Sequence, residues 1–291
     1  MTAPTTFVPD LARLERDVRR LAVPRHPDTA PGALRAAEDF IAMELGAAGL
    51  RVERQLFTSS GREFHNVIGT RDGSEPERPL LVVGAHFDTA PYTPGADDNA
   101  SAVAAMLEVA RLLRDRRPAA SIEFVGYNLE EIQHGFGSRL GSRQHAQQLR
   151  ASGRKVAGAL VLEMVGFTGP QRYIPLSVRL VRRVPKDGTF LAAVGDGRSR
   201  ALLAAFRRAT DGVLPLVHLT VPFKGWILPY SRMSDNARYW DEGIPSLMIT
   251  DTAFLRNPHY HRASDTPDTL DYGYMGRVVT AVARAVVALS G

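Results

Sequence analysis

The sequence predicts a three-layer α/β/α fold with a mixed, mostly parallel central sheet. Three observations lead there. Apolar runs too short for helices, such as PLLVVGAH over 79–86, end in polar residues, as central strands buried on both faces do. Segments with apolar residues at three- and four-residue intervals alternate with those runs, the pattern of strands joined by covering helices. Two strand-like runs near the start are joined by a short connection, which suggests an antiparallel edge.

The elements follow in order. Leu11, Leu14, Val18 and Leu21 predict a helix over 9–23, and a second covers 31–49, closed by Gly49. Strands are expected at 52–58 and 64–70, then the buried strand at 79–86. Val103, Met106, Leu107, Ala110 and Leu113 form one stripe of a helix over 99–114. A strand at 122–128, a helix at about 137–150 and a strand at 156–167 continue the alternation. From Thr168 to Gly188 the pattern blurs into a Pro/Gly-rich stretch, read as a loop over the site. A strand at 190–195, a helix at 199–210, a strand at 216–222, a short helix at 235–242, a strand at 245–250 and a helix at 272–289 complete the chain. With no linker-like composition shift and no repeat, 1–291 reads as one domain, with 168–233 shaping the substrate site.

Composition narrows the chemistry. The 291 residues include no cysteine, which excludes disulfides, a thiol nucleophile and Cys-ligated metal centres. Lys+Arg number 36 against 31 Asp+Glu, for a net charge of +5, and only Lys155, Lys186 and Lys224 are lysines. The basic clusters at 114–117 and 179–186 are short and lack regularly interleaved aromatics, so they read as solvated surface, with no nucleic acid expected as a partner. No apolar stretch reaches the roughly 18–20 residues of a membrane span, so no membrane association is expected. The N-terminus shows no basic region leading into an apolar one, and a cytoplasmic location is the expectation.

In open α/β sheets functional groups gather beyond the carboxyl ends of the strands. The strand at 79–86 leads into His86-Phe87-Asp88, the next into Glu130-Glu131, and the third carries Glu163. Asp97-Asp98-Asn99 precedes a helix, and His259-Tyr260-His261 lies in a turn-rich loop before Asp265-Thr266. Each has a plain structural alternative: a helix cap for the Asp pair, a solvated strand end for Glu130-Glu131, a buried salt bridge for Glu163 and a surface residue for His261. Asp88, two residues from His86 on an extended chain, can orient the imidazole. Jointly, these nitrogen and oxygen donors without sulfur suit zinc, manganese or cobalt in a hydrolytic two-metal site, with a spare glutamate as general base.

The runs GAHFDTAPYTPGADDNASAVAAMLEVARLL, GYNLEE, LVLEMVGF, SDNARYWDEGIPSLMITDT and NPHYHRASDTPDTLDY resemble the zinc-dependent aminopeptidase family, which includes bacterial leucyl aminopeptidases, glutamate carboxypeptidase II and, more distantly, glutaminyl cyclases. The resemblance spans about 31–290 in motif order. It implies a hydrolase-like zinc exopeptidase fold around an eight-stranded, mainly parallel mixed sheet, and an N-terminal aminoacyl or peptide substrate. It implies two zinc ions, one held by Asp98, Glu131 and His261 and the other by Asp98, His86 and Glu163, with Asp98 bridging. It also implies Asp88 as the partner of His86 and Glu130 as general base. Tyr230 is the nearest candidate for a tyrosine that stabilises the oxyanion. The chain departs from the pattern at Glu163, where many members carry Asp, and at Asn236, where many carry His. A one-zinc cyclase, a carboxypeptidase (which would use arginines such as Arg172, Arg179 or Arg232) and a non-catalytic binding protein are the competing readings. No G-x-S-x-G elbow or G-x-x-x-x-G-K loop supports a serine-hydrolase or nucleotide-binding alternative.

Overall fold

The computed structural model describes residues 6–131 and 141–291. The chain begins with helices α1 (Leu11–Leu21) and α2 (Pro31–Ala47), then the hairpin β1 (Arg51–Ser59) and β2 (Arg62–Arg71). Next come β3 (Leu80–His86), α3 (Ala102–Leu112), β4 (Ile122–Tyr127), α4 (Gly141–Ala151) and β5 (Val156–Glu163). A short helix α5 (Leu176–Val181) precedes β6 (Leu191–Asp196), α6 (Arg200–Thr210), β7 (Leu216–Val221), α7 (Asn236–Asp241), β8 (Ser246–Thr250) and α8 (Tyr272–Ser290).

The eight strands form one sheet in the order β1-β2-β4-β3-β5-β8-β6-β7. The four strands β4, β3, β5 and β8 run parallel, and β6 pairs parallel with β7. The antiparallel hairpin expected at the edge is present, and β2 pairs antiparallel with β4. A third antiparallel pairing, between β8 and β6, was not expected: the last strand in sequence inserts beside β5 rather than at an edge. The expected helix over 137–150 falls partly outside the described residues; its described part is α4. The stretch read as a loop contains α5, six residues with none buried, too short to leave a periodic apolar signature.

Burial explains the layers. Residues of β3 alternate between two cores: Leu81, Val83 and Ala85 face the larger one, with α1, α2, α3, α6 and α8, while Leu80 and Val82 face the smaller one, with α4 and α7. β3 is therefore buried along its whole length, as its unbroken apolar run requires. Gly84 in its middle leaves room for the Tyr127 ring; a Cβ there would lie 2.3 Å from that side chain. No helix is long and apolar enough to cross a membrane among the described residues.

This topology positions the chemistry. β4, β3 and β5 are parallel neighbours, so their carboxyl ends open on one edge of the sheet. β8, parallel to β5, sends the chain from Thr250 into the loop that carries His261 to the same edge.

Candidate metal centre and active site

His86, at the end of β3, is fixed on its Nδ1 side by Asp88, whose main-chain oxygen lies at 3.3 Å and whose Oδ1 lies at 3.5 Å. Its Nε2 points the other way, 3.4 Å from Asp98 Oδ1 and 3.5 Å from Glu163 Oε2. His261 places Nε2 3.2 Å from Asp98 Oδ2 and 3.0 Å from Glu131 Oε2. Asp98 thus offers one oxygen to each histidine. The donor atoms of His86, Asp98 and Glu163, and those of Asp98, Glu131 and His261, lie within 4.8 Å of one another. All five residues named as metal ligands from the sequence come together, in the two groups the resemblance implies. Glu130 joins His86 and Glu131 in a third such group.

Asp88 does more than orient an imidazole. Its Oδ1 accepts the main-chain N–H of Glu130 at 3.1 Å and its Oδ2 that of Glu131 at 3.0 Å. The fully buried carboxylate therefore ties the end of β3 to the turn that carries the base and a ligand. Asn66 supports the same turn from β2: its Oδ1 accepts from Asn128 N, and its Nδ2 donates to Gly141 O.

The Asp pair is not a helix cap. Asp97 Oδ1 accepts from Gly166 N and its Oδ2 from Asn257 Nδ2, joining the loops after β5 and β8. Asp265 accepts the N–H groups of both Asp97 and Asp98, at 2.9 and 3.1 Å, which sets the bridging carboxylate in place. Asn99 donates to Leu162 O and accepts from Met164 N, gripping the chain on either side of Glu163 as a ladder strand would. Glu163 is further steadied by Ser234, whose hydroxyl donates at 2.6 Å. Sequence reasoning assigned no role to Asn66, Asn99, Ser234 or Asp265, because their partners lie far along the chain.

Electrostatics follow from this crowding. Burial opposes ionisation of Asp98, but the hydrogen bonds from His261 and His86 outweigh it and hold its pKa below the usual carboxylate range. Burial pushes Glu131 up to about 8, with the Asp98 charge adding to the effect. Burial, then the charges of Glu131, Glu163 and Asp235, push Glu130 well above the ordinary value, against the pull of His86. Burial opposes protonation of His261, yet Asp98 and Glu131 raise it to about 10. Buried Arg25 is the cation that feels Asp88, Asp98, Asp265 and Glu131 among the described residues, and so many carboxylates around two imidazoles still call for external positive charge. Among the described residues, buried Asp98 Oδ2 has no hydrogen-bond partner beyond the 3.2 Å approach of His261 Nε2. The donor set fits divalent cations, and its His and carboxylate character fits zinc.

Tyr230 lies on a short turn, Pro229–Arg232, and is 42% exposed. Its ring packs on Phe254, which packs on Tyr260, which in turn stacks on His261. Two rings therefore separate Tyr230 from the ligand, whereas Tyr260 touches it. Burial, then the charges of Asp98, Glu131, Glu130 and Glu163, raise the Tyr260 pKa, which keeps its hydroxyl a proton donor. The H-Y-H spacing at 259–261 is the local signal for Tyr260 in the sequence. His259 faces away, bonded to Ser264 Oγ.

Beside Glu163 opens an apolar cavity of about 120 Å³, walled by residues that include Phe190, Val194, Leu219, Met248, Phe254 and Tyr260. Glu163 is the one charged side chain in its lining among the described residues.

Comparison with known proteins decides the family: the profile of peptidase family M28 matches residues 66–286. The chain belongs to peptidase family M28. It is 35% identical over 288 residues to the uncharacterized protein YfbL of Escherichia coli K12, covering 93% of this chain and 85% of that one. It is 30% identical over 225 residues to probable leucine aminopeptidase 1 of Trichophyton verrucosum, covering 72% of this chain and 54% of that one. The chain thus spans about half the length of that relative. Two solved structures share the fold. The LapA aminopeptidase of Legionella pneumophila superposes with a TM-score of 0.75 at 17% identity, over 97% of this chain and 72% of that one. The glutaminyl cyclase of Porphyromonas gingivalis superposes with a TM-score of 0.74 at 19% identity, over 97% and 99%. M28 membership makes this chain a metal-dependent hydrolase of the peptidase class.

Proposed function

We propose that this M28 peptidase is an aminopeptidase that removes apolar N-terminal residues, with two zinc ions held around Asp98. The observation that carries the reading is the shared carboxylate: Asp98 faces His86 with one oxygen and His261 with the other, beside an apolar cavity. His86 and Glu163 would hold one ion, and Glu131 and His261 the other. Bound there, the ions supply Lewis-acid polarisation of the scissile carbonyl and a lowered pKa for the attacking water.

The remaining chemistry falls to the side chains. Glu130 accepts the proton of the attacking water and passes it to the leaving amine, a role suited to a carboxylate whose pKa is raised by burial and acidic neighbours. Tyr260, with its hydroxyl kept protonated, is better placed than Tyr230 to donate to the developing oxyanion. The acidic cluster attracts the substrate's α-ammonium, while the cavity takes the first side chain and excludes water. The cavity lining holds no Lys or Arg among the described residues, which favours an amino over a carboxyl terminus as the group recognised. Arg232, one of the candidates for a carboxylate clamp, is instead paired with Asp241 and stacked on Trp226.

Metal analysis of the purified protein, beside turnover of leucine p-nitroanilide and an N-terminal glutamine peptide, tests this reading. Two zinc ions per chain with chelator-sensitive release of p-nitroaniline is the expected outcome. One ion per chain, with cyclisation of the glutamine peptide, would replace it with the cyclase reading.

A further inference from the structure

The stretch 172–187 forms a strap beside the cavity. Tyr173, Val178 and Val184 contribute to its lining, with Leu228, Tyr230 and Met233 among the other lining residues. The strap is a built element with pinned feet. Gln171 N donates to Lys186 O at 3.0 Å, and Arg172 N and Tyr173 N both donate to Leu255 O. Arg182 Nε donates to His218 O at 2.8 Å, fastening the middle of the strap to β7.

Its outer face is unusual in two ways. Leu176, Leu180 and Val181 of α5 are 67%, 77% and 55% exposed, although apolar side chains this open ordinarily find cover. The segment 168–190 also carries five cations (Arg172, Arg179, Arg182, Arg183 and Lys186) against the single acid Asp187, so +4 of the chain's net +5 resides in it. None of the five meets a carboxylate in an ion pair among the described residues. On α1 the reverse holds: Arg13, Arg16 and Arg19 pair with Glu108, Asp17 and Asp268. Cations without ion pairs among the described residues and open apolar side chains, on a segment that also lines the cavity of a peptidase site, fit a partner that brings acids and apolar groups together.

We propose that the strap is a docking surface for an acidic segment, carrying apolar side chains, of the polypeptide substrate. This rests on the peptidase reading of the adjoining site. The distribution of charge selects a polypeptide over a bilayer. Arg179 is the one cation within α5, and Arg182 and Arg183 follow outside the helix, so no amphipathic helix carries the charges. A helix that lies on a membrane keeps cations and apolar groups on opposite faces and is longer than six residues. The sign of charge also differs between the cavity, where Glu163 is the one charged lining residue among those described, and the strap beside it, where exposed cations dominate. That field suits a substrate that enters with its cationic amino terminus and holds acidic residues outside.

The test uses fluorescent peptides that share an N-terminal leucine and differ in a distal segment: Asp/Leu-rich, Gln/Leu-rich or Lys/Leu-rich. Binding is read by anisotropy on zinc-loaded Glu130→Gln protein, so that peptide is not consumed and binding is measured whether or not the protein proves to be an aminopeptidase. We expect the acidic peptide to bind about tenfold more tightly than the basic one at low salt, with the preference shrinking as salt rises. Adding R179E/R183E/K186E should abolish the preference, and R179Q/R183Q/K186Q should leave an intermediate one. In protein with an intact Glu130, the same charge changes should leave Tm and leucine p-nitroanilide turnover within about twofold of the parent, because these three side chains are exposed and outside the metal site. Equal affinity for all three peptides, or a preference that survives the charge reversal, would overturn the proposal. So would sedimentation with anionic phosphatidylglycerol vesicles that the reversal abolishes, without any peptide preference. Failure of p-nitroanilide turnover alone would count against the aminopeptidase reading, not against the docking surface.

Discussion

The phenol ring of Tyr260 lies flat against the imidazole of His261, with centroids 3.8 Å apart and planes 17° from parallel. The ring therefore sets the plane of a ligand as well as offering a hydroxyl. Tyr260→Phe keeps the stack and should leave metal affinity near the parent value while lowering kcat. Tyr260→Ala removes the stack and should weaken metal binding by roughly 10–100-fold, the usual effect of losing a group that orients a ligand. Competition with a fluorescent zinc chelator reads the affinity, and equal losses in both variants would refute the division of roles.

Glu130→Gln removes the proton acceptor without removing a ligand. Metal content should stay unchanged, and kcat should fall by about 10²–10⁴-fold, the range general-base catalysis contributes. Near-normal turnover would eliminate Glu130 as the base.

Asp88 links two parts of the site through the N–H groups of Glu130 and Glu131, and either substitution disturbs both. Asp88→Asn turns one acceptor into a donor facing an N–H, so this near-isosteric change should cost at least as much activity as Asp88→Ala. A loss of about 10–100-fold in metal affinity should accompany it. Retained affinity in Asp88→Asn would show that the charge and one of the two acceptors are dispensable.

Without metal, stability should fall as pH rises from about 4 to about 10. Burial raises Asp251 to about 6, Asp265 to about 7 and Glu131 to about 8, and His261 is held at about 10 by Asp98 and Glu131 against the effect of burial. In each case the folded state holds its proton to higher pH than the unfolded chain, so unfolding releases protons and is favoured as pH increases. The stabilising contribution of His261 is complete below its ordinary value of 6.5 and is lost through about 10. Thermal melts in chelator at pH 5, 7 and 9 should show the decline, and added zinc should reverse it by binding the folded state. A flat or rising profile in chelator would contradict the charge assignment.

Gly84→Ala tests the packing behind the site. The added methyl would meet Tyr127 at 2.3 Å within a strand buried on both sides, and should destabilise the fold by about 1–3 kcal/mol or more. Urea unfolding measures it. An unchanged midpoint would mean that the Tyr127 ring can move aside without cost.

The parts of this molecule legible in the sequence were those with a local signature. β3 announced itself through an unbroken apolar run, α3 through its stripe, and Glu163 through being a carboxylate amid aliphatics. The antiparallel placement of β8 beside β6 left no mark, because pairing direction depends on where the chain goes after α7 and not on the residues of SLMIT. The same limit hid Asp265. Its role lies in two N–H groups well over a hundred residues away, and nothing in its own surroundings distinguishes it from a loop residue. α5 was missed because six residues with no buried face follow no period.

The grip of Asn99 on the chain either side of Glu163 makes the floor of the site an extension of the sheet. The strap, by contrast, is held to the body by a few bonds at its feet and one to β7. Substitutions on the exposed strap should therefore leave the coordination geometry unchanged, because no hydrogen bond of the strap reaches a metal-site residue among those described.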